Sequence, residues 1–423
     1  MKNFLRRNPK FLRFWLAAWS SEFGDNIRNT ALLFVILEQF ADKAAAAISI
    51  NLILEYAPIF LLGPIIGVFA DRFDRKTSLS SALLFRAVVM LLFIGAIAVN
   101  SVLMIYIGSF LSAISTLVFR ASQPAFTMSL VHNDDRLIAA SYRQMSISFT
   151  NIIGPVVAIM LYGAIGSSFM IVIATVLFIG AATTIIRIPN EQQNNELSAS
   201  INTKSLTFHS IWSDLKLGFQ FALSHKIVKI VTLSNLAFGL VAGVYNVMQM
   251  FLITEYLGLP KESLAWFTPI IGVTMLIGSL AIPKIKCKPE RLLTISVFLL
   301  ACGLGGMTIF PSVIWVIAAT VLFFSGIVAY NITTASLIQT HVEIDFQGRV
   351  STFIQLAWMG PMLLMSLIVG QLYPAVSISY LFIGTGCIVF LLAITVAYRI
   401  AKLQVNPHPL SMEMEQNKLA QSL

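Results

Sequence analysis

Hydrophobic positions along this chain form long continuous runs, and short polar breaks separate one run from the next. Each run has about the 20 residues that an α-helix needs to cross the hydrocarbon core of a bilayer. Because a bilayer offers no partner to backbone N–H and C=O groups, such runs must be helical. The pattern therefore predicts an all-α polytopic membrane protein with twelve transmembrane helices. They lie near 12–38, 46–70, 77–98, 102–130, 137–162, 169–187, 227–254, 263–283, 291–310, 313–340, 349–372 and 377–400.

Composition and charge support a membrane protein and give its orientation. Of the 423 residues, 57% are hydrophobic and only 11% are charged, whereas about 25% are charged in a typical soluble domain. Twelve spans put both termini on one side, and 23 of the 28 lysines and arginines lie on that side. Only Lys43 and Lys261 lie on the other, and the remaining three, Arg28, Arg86 and Arg120, lie within spans. Cytoplasmic loops carry such an excess of basic residues, so both termini are predicted to be cytoplasmic. The net charge of +9 is then a signal of topology and not of nucleic-acid binding.

The only long polar segment divides the chain into two halves. Its first part is rich in Asn, Gln and Ser, and its second part, 208–223, has helical spacing typical of an amphipathic interfacial helix; a simple tether is the alternative. The halves repeat, because the Gly154-Pro155 pair recurs as Gly360-Pro361 at an offset of 206. The predicted regions are an N-terminal six-helix bundle (1–187), a cytoplasmic linker (188–226), a C-terminal six-helix bundle (227–400) and a cytoplasmic tail (401–423).

The short loop between the second and third spans carries a spaced motif, GVFADRFDRKTSL. A glycine allows two helices to approach closely, and an acid then stands beside several cations. This motif resembles the signature loop of the major facilitator superfamily, and the twelve spans and the half-repeat extend the resemblance over nearly the whole chain. It implies a transporter in which two bundles rock around a central site. The implied gating residues are Gly67, Asp71, Arg72, Arg75 and Lys76.

Two further stretches resemble one subfamily. FLRFWLAAWSSEFGDNIRNTAL and ASQPAFTMSLVHNDDRLIAASYRQMSISFTNIIGP are similar to segments of macrolide-efflux-like and enterobactin-exporter-like drug:proton antiporters. The match is partial, since Ala158 and Pro124 stand where two antiporter motifs have glycine. The resemblance implies proton-coupled efflux of amphiphilic molecules from a bacterial inner membrane, by a monomer that needs a proton gradient and no cofactor. Export or flipping of a lipid or siderophore-like metabolite is the alternative.

The first span is unusually polar for a helix in lipid. Each charge at a helix centre costs about 2.5–3.5 kcal/mol on insertion scales. Glu22, Asp25, Asn26 and Asn29 recur at three- and four-residue spacing and share one face. We predict that Asp25, with Glu22, carries the coupling proton, and that a cation responds to its charge. The candidate cations are Arg28 and Arg120; a static Asp25–Arg28 ion pair is the alternative.

Other polar residues of the spans have less specific patterns. Arg86 and Glu55 are more typical of packing networks than of transport. The C-terminal half carries amides and aromatic residues among Met and Phe, which suits a large, mainly apolar ligand. Together with Asn26 and Asn29, the predicted substrate-binding residues are Asn235, Tyr245, Asn246, Gln249, Tyr330, Asn331, Gln355 and Trp358.

Enzymatic and metal-dependent functions find no support in the pattern. Cys287, Cys302 and Cys387 have no paired spacing, and the sequence contains no P-loop or histidine cluster. A receptor-like scaffold would not need charges deep in its first span. The partners predicted are a small-molecule substrate, protons and the lipid bilayer.

Overall fold

The structure is a computed structural model that describes residues 2–40, 43–70, 74–132, 135–189, 225–285, 287–342 and 344–405. Within these ranges the chain is helical and contains no strand. The predicted interfacial helix at 208–223 and the tail beyond Val405 lie outside them. The helices are α1 (Lys2–Arg7), α2 (Pro9–Gln39), α3 (Ala44–Ala70), α4 (Arg75–Ala98), α5 (Val102–Ser129), α6 (Arg136–Ile186), α7 (Lys226–Phe251), α8 (Leu264–Ala281), α9 (Pro289–Gly306), α10 (Val313–His341), α11 (Ile344–Leu372) and α12 (Ile378–Val405).

Three short segments complete the helical structure. A π-helical turn, Leu252–Tyr256, extends α7. Two 3₁₀ turns, Lys261–Ser263 and Ile282–Lys284, flank α8 at its two ends. Proline residues lie inside several of the long helices, including Pro155 in α6 and Pro361 in α11. These two prolines belong to the repeated Gly-Pro pairs, so the repeat falls at comparable places within helices of the two halves.

Twelve long helical segments confirm the predicted fold class. Ten stretches in the described part of the chain are long and apolar enough to cross a membrane. The charged helix α2 is an eleventh long helical segment. The twelfth comes from α6, because Gly166, with φ 73° and ψ 170°, divides its 51 residues into two segments. The sequence predicted a polar loop at 163–168 between these two segments. The structure makes the break at one glycine instead, because glycine adopts positive φ without steric cost.

The described residues fall into two compact units. The first comprises those within Met1–Lys216, Gly243–Val273 and Leu363–Leu381. In it, α2 packs along α6, while α4 and α3 both pack on α5. The second comprises those within Leu217–Ala242, Thr274–Met362 and Phe382–Leu423. In the second unit α9 packs along α10. The two predicted six-helix bundles remain a prediction.

The tight packing of α9 on α10 depends on one glycine. A Cβ at Gly303 would lie 2.6 Å from both the Cα and the backbone nitrogen of Phe323. Phe323 is itself buried. Since a backbone cannot move aside as a side chain can, the helices approach this closely only because position 303 has no side chain.

Candidate functional site

The polar face of α2 is held by an ion-pair network in the first unit. The Nη1 atom of Arg86, on α4, donates to both carboxylate oxygens of Asp25 at 3.1 and 2.9 Å. It also donates to the hydroxyl of Ser21 at 3.2 Å. Arg28, one turn further along α2, lies 3.2 Å from the same carboxylate. Asp25 therefore contacts two guanidinium groups at once.

Arg86 is the most deeply buried charge of this network. Its side chain is only 1% exposed. The guanidinium carbon lies 5.9 Å from the ring centre of Phe119 and 5.1 Å from that of Phe178. Cation–π contacts of this kind, together with the Asp25 carboxylate, offset the cost of removing the charge from water. The sequence marked an arginine inside the third span but did not assign it as the partner of Asp25.

A second carboxylate balances Arg28. The Nη2 atom of Arg28 lies 3.5 Å from Glu55 Oε1 on α3, and Nη1 donates to the Ser112 hydroxyl on α5. Asn29 joins the same group, since its amide donates to Glu55 at 3.2 Å and its oxygen accepts from Arg28 at 2.7 Å. Two arginines and two carboxylates thus form one charge-balanced network across α2, α3 and α4.

Glu22 stands apart from this network although it lies one turn from Asp25. No ion pair joins Glu22 to another described residue. Its Oε2 atom is buried, and within the described part of the chain no hydrogen-bond donor reaches it. The carboxylate lines a narrow pocket that α2, α5 and α6 enclose. The pocket is lined by Phe11, Phe14, Trp15, Ala18, Trp19, Glu22, Gln123, Thr127, Arg143 and Ser146.

The aromatic wall of this Glu22 pocket is fixed by hydrogen bonds at its outer edge. Trp15 Nε1 donates to the Tyr142 carbonyl at 3.1 Å, and Trp19 Nε1 donates to the Thr150 hydroxyl at 2.9 Å. The two indole rings are 5.3 Å apart. Both indole N–H groups are therefore bonded to residues other than Glu22.

The remaining polar groups of the pocket are few. The hydroxyls of Thr127 and Ser146 donate to carbonyls of their own helices. Besides Glu22, the other polar side chains that line the pocket are the Gln123 amide and the Arg143 guanidinium. The Nε atom of Arg143 is buried and makes no hydrogen bond to a described residue. Arg143 was not among the predicted site residues.

Arg120, a predicted partner of the α2 carboxylates, and Asn26, a predicted substrate-binding residue, lie outside the ion-pair network. Arg120 is exposed, and no ion pair joins it to any described carboxylate. Asn26 donates from Nδ2 to the Glu22 carbonyl at 3.0 Å. Its side chain also faces Gly154 of α6, where an added Cβ would lie 3.0 Å from Asn26 Cγ. The roles of both residues in transport remain predictions.

The predicted substrate-binding residues of the C-terminal half divide between the units. In the second unit, Phe238 stacks on Tyr330 with ring centres 4.9 Å apart and meets Trp358 edge-on at 5.8 Å. The sequence prediction did not include Phe238. Asn235 donates to the Val231 carbonyl of its own helix, which uses its donor locally. Asn331 and Gln355 are exposed, whereas Tyr245, Asn246 and Gln249 are half-buried on the part of α7 in the first unit.

The predicted gating motif is only partly described. Asp71 and Arg72 lie outside the described residues, and Gly67 lies near the end of α3. Arg75 and Lys76 begin α4 and are half-buried. The helix is capped by Asp74, which accepts hydrogen bonds from the Thr77 backbone nitrogen at 2.8 Å and hydroxyl at 2.7 Å. This cap is favourable at a helix N-terminus and was not predicted.

Comparison with known proteins agrees with this architecture. A sequence model of the Major Facilitator Superfamily matches residues 14–366. The chain therefore belongs to the Major Facilitator Superfamily, a family of membrane transporters. This confirms the family resemblance that the loop motif carried.

Individual relatives are distant but cover nearly the whole chain. The chain is 25% identical to the uncharacterized MFS-type transporter YkuC of Bacillus subtilis, over 92% of this chain and 91% of the relative. It is 23% identical to macrolide efflux protein A of Streptococcus pyogenes, over 91% and 94%.

Solved structures share the fold at low identity. A bacterial homologue of the iron transporter ferroportin in an inward-facing state has a TM-score of 0.73 at 13% identity, over 92% of this chain and 98% of that one. The POT family transporter PepTSo has a TM-score of 0.70 at 15% identity, over 95% and 99%. These likenesses concern the fold alone.

Proposed function

We propose that this transporter exports amphiphilic small molecules in exchange for protons by alternating access. The observation that carries the proposal is the contrast between the two acids of α2. Asp25 contacts two guanidinium groups, whereas the buried Oε2 of Glu22 has no hydrogen-bond donor among the described residues. The macrolide-efflux relative supports amphiphilic compounds as the substrate class.

A proton carrier must exist in both charge states during the transport cycle. Asp25 contacts Arg28 and Arg86, and its contact with Arg86 joins α2 to α4, so we assign it to holding these helices together. Glu22 makes no ion pair with a described residue, and Trp15, Trp19 and Arg143 line the same pocket. Glu22 can therefore gain or lose a proton without breaking an ion pair between described residues. We therefore assign the proton to Glu22 and a holding role to Asp25.

Coupling follows from the short distance between Glu22 and the charge network. The two acids lie one helical turn apart on one face of α2, as residues three apart do. Ionisation of Glu22 adds a second negative charge beside Asp25 and changes the field at Arg28 and Arg86. Since these arginines join α2 to α3, α4 and α5, a change in their contacts alters the packing of helices.

The remaining parts of the proposal follow the sequence predictions. Both termini lie in the cytoplasm of a bacterium, and the protein lies in the inner membrane as a monomer. The amphiphilic ligand contacts aromatic and amide side chains of the C-terminal half. Among them are Tyr330 and Trp358, which both pack against the ring of Phe238. The cytoplasmic loop with Asp71 and Arg75 governs switching and does not contact substrate.

Transport in proteoliposomes tests the proposal. Erythromycin and ethidium serve as probes, with an imposed pH gradient driving accumulation. Glu22→Gln should abolish uphill accumulation and leave downhill probe exchange intact, because a neutral amide binds no proton. Glu262→Gln is the matched control, since Glu262 is an exposed acid outside the network. The control should transport like the wild type.

Two outcomes would redirect the proposal. Uphill accumulation by Glu22→Gln with an unchanged pH profile would remove Glu22 as the carrier. Gradient-driven export of a fluorescent lysophospholipid, with no transport of either probe, would favour the lipid class of substrate instead.

A further inference from the structure

Lys261 makes a compact set of contacts at the remote face, which is the side where α2 ends and the 3₁₀ turn before α8 begins. Its Nζ atom donates to Glu38 Oε1 at the end of α2, at 2.5 Å. It also donates to the Tyr162 hydroxyl on α6, at 2.5 Å. The Tyr162 hydroxyl in turn donates to Glu38 Oε1. Lys261, Glu38 and Tyr162 thus form a closed triangle of charge-assisted hydrogen bonds.

Aromatic rings support the same ammonium group. Lys261 Nζ lies 4.9 Å from the ring centre of Tyr162 and 5.7 Å from that of Phe34. The two rings stack with their centres 3.8 Å apart, and Phe34 is fully buried. The ammonium group therefore meets a carboxylate, a hydroxyl and two ring faces. These groups come from two other helices, α2 and α6.

The ion pair between Lys261 and Glu38 is partly exposed to solvent. The side chains of Lys261 and Glu38 are 29% and 44% exposed. Water can therefore solvate both charges as they separate, which keeps the free energy of an exposed ion pair small. The Asp25–Arg86 pair differs, because its arginine is 1% exposed and would have no water to replace the carboxylate.

The distribution of basic residues along the sequence also distinguishes Lys261. By the predicted topology, Lys43 and Lys261 are the only basic residues on this side of the membrane. Lys43 is exposed, whereas Lys261 reaches residues 223 and 99 positions away in the chain. A second close contact lies in the same unit, where a Cβ at Gly370 of α11 would lie 2.5 Å from Ser49 Cβ on α3. The first unit thus joins segments that are distant in sequence through more than one contact.

We propose that Lys261, Glu38 and Tyr162 form a releasable latch that keeps the end of α2, the region of α6 just before its break at Gly166 and the start of α8 together. Alternating access requires a membrane transporter to separate helix ends on one side whenever that side opens. The latch is closed in this structure and breaks when the remote side opens. The inference goes beyond proton-coupled efflux, since it depends on neither the substrate nor Glu22.

Distance measurements between spin labels test the latch without substrate or gradient. Labels go on cysteines at Gly163 and Glu262, which adjoin two latch residues and are both exposed. An added Cβ at Gly163 meets no atom within 4 Å. Cys287, Cys302 and Cys387 are first replaced by alanine. Double electron–electron resonance on the purified protein then reports the short and long distances between α6 and the start of α8.

The latch predicts a graded response. Lys261→Met should raise the ratio of long to short distances about fivefold, which corresponds to about 1 kcal/mol. Glu38→Gln and Tyr162→Phe each remove one hydrogen-bonding partner and should give smaller increases. The Glu38→Gln/Lys261→Met double variant should not exceed Lys261→Met alone, because both changes remove the same interaction.

Controls separate the latch from a general loss of stability. Lys43→Met removes the other basic residue of this side and should leave the distances unchanged. The charge-exchanged pair Glu38→Lys/Lys261→Glu should be more closed than Lys261→Glu alone. The proposal is overturned if Lys261→Met matches Lys43→Met, if the two latch substitutions add fully, or if charge exchange restores nothing.

Discussion

Removing the carboxylate of Asp25 should destabilise the protein far more than removing that of Glu22. Asp25→Asn leaves Arg86, which is 1% exposed, without its ionised partner. Breaking a buried pair from one side costs about 3–5 kcal/mol. The asparagine oxygen can still accept one hydrogen bond from Arg86, so we expect a loss near the lower end, about 3 kcal/mol. Glu22→Gln breaks no ion pair between described residues and should cost about 0–1 kcal/mol.

Thermal denaturation in detergent, followed by fluorescence-detected size exclusion, measures this difference. A loss of 1 kcal/mol lowers the melting temperature by about 2–4 °C in chains of 150–250 residues, and by about half as much in a longer chain. Asp25→Asn should therefore melt about 3–6 °C below the wild type, and Glu22→Gln within about 1–2 °C of it. Asp25→Asn/Arg86→Met should recover part of the loss, because it removes the uncompensated cation as well. The assignment of holding and proton-carrying roles fails if the two single variants melt together.

Two further predictions concern topology and helix packing. In a variant whose native cysteines are replaced, Lys43→Cys should react with a membrane-impermeant maleimide added to intact cells. Position 43 is exposed, and the charge distribution predicts that it lies outside the cell. Reaction only after permeabilisation would reverse the predicted orientation. Gly303→Ala should lower the melting temperature, since its Cβ would meet the Phe323 backbone at 2.6 Å and such overpacking costs about 1–3 kcal/mol. Gly306→Ala on the same helix is the control, because its Cβ meets no atom within 4 Å; equal effects would contradict the packing argument.

The helices of the fold could be predicted from the sequence because hydrocarbon length and backbone satisfaction leave little choice. The predicted span 77–98 corresponds to Arg75–Ala98, and 102–130 corresponds to Val102–Ser129. The prediction separated the two segments of α6 but placed the break over residues 163–168 instead of at Gly166. Hydropathy shows where polar residues interrupt a run, but it does not show that Gly166 alone makes the break.

The candidate site was only partly predictable, for a different physical reason. Periodicity placed Glu22 and Asp25 on one face of a helix, but it contains no information about which neighbouring helix faces them. The Asp25–Arg86 pair joins residues 61 positions apart. The prediction selected Arg28 and Arg120 as partners, whereas the structure brings Arg28 and Arg86 to Asp25. The only available signal was an arginine in an otherwise apolar run of α4.

The charge network also bears on how the first helices enter the membrane during synthesis. Helix α2 is not one of the ten stretches apolar enough to cross a membrane by composition, and each of its central charges disfavours entry into lipid. Glu55 and Arg86 compensate these charges, yet they emerge from the ribosome only with α3 and α4. Helix α2 therefore lacks these compensating charges until α4, the second helix after it, has been made. We infer that α2, α3 and α4 enter the bilayer as one group and not one by one.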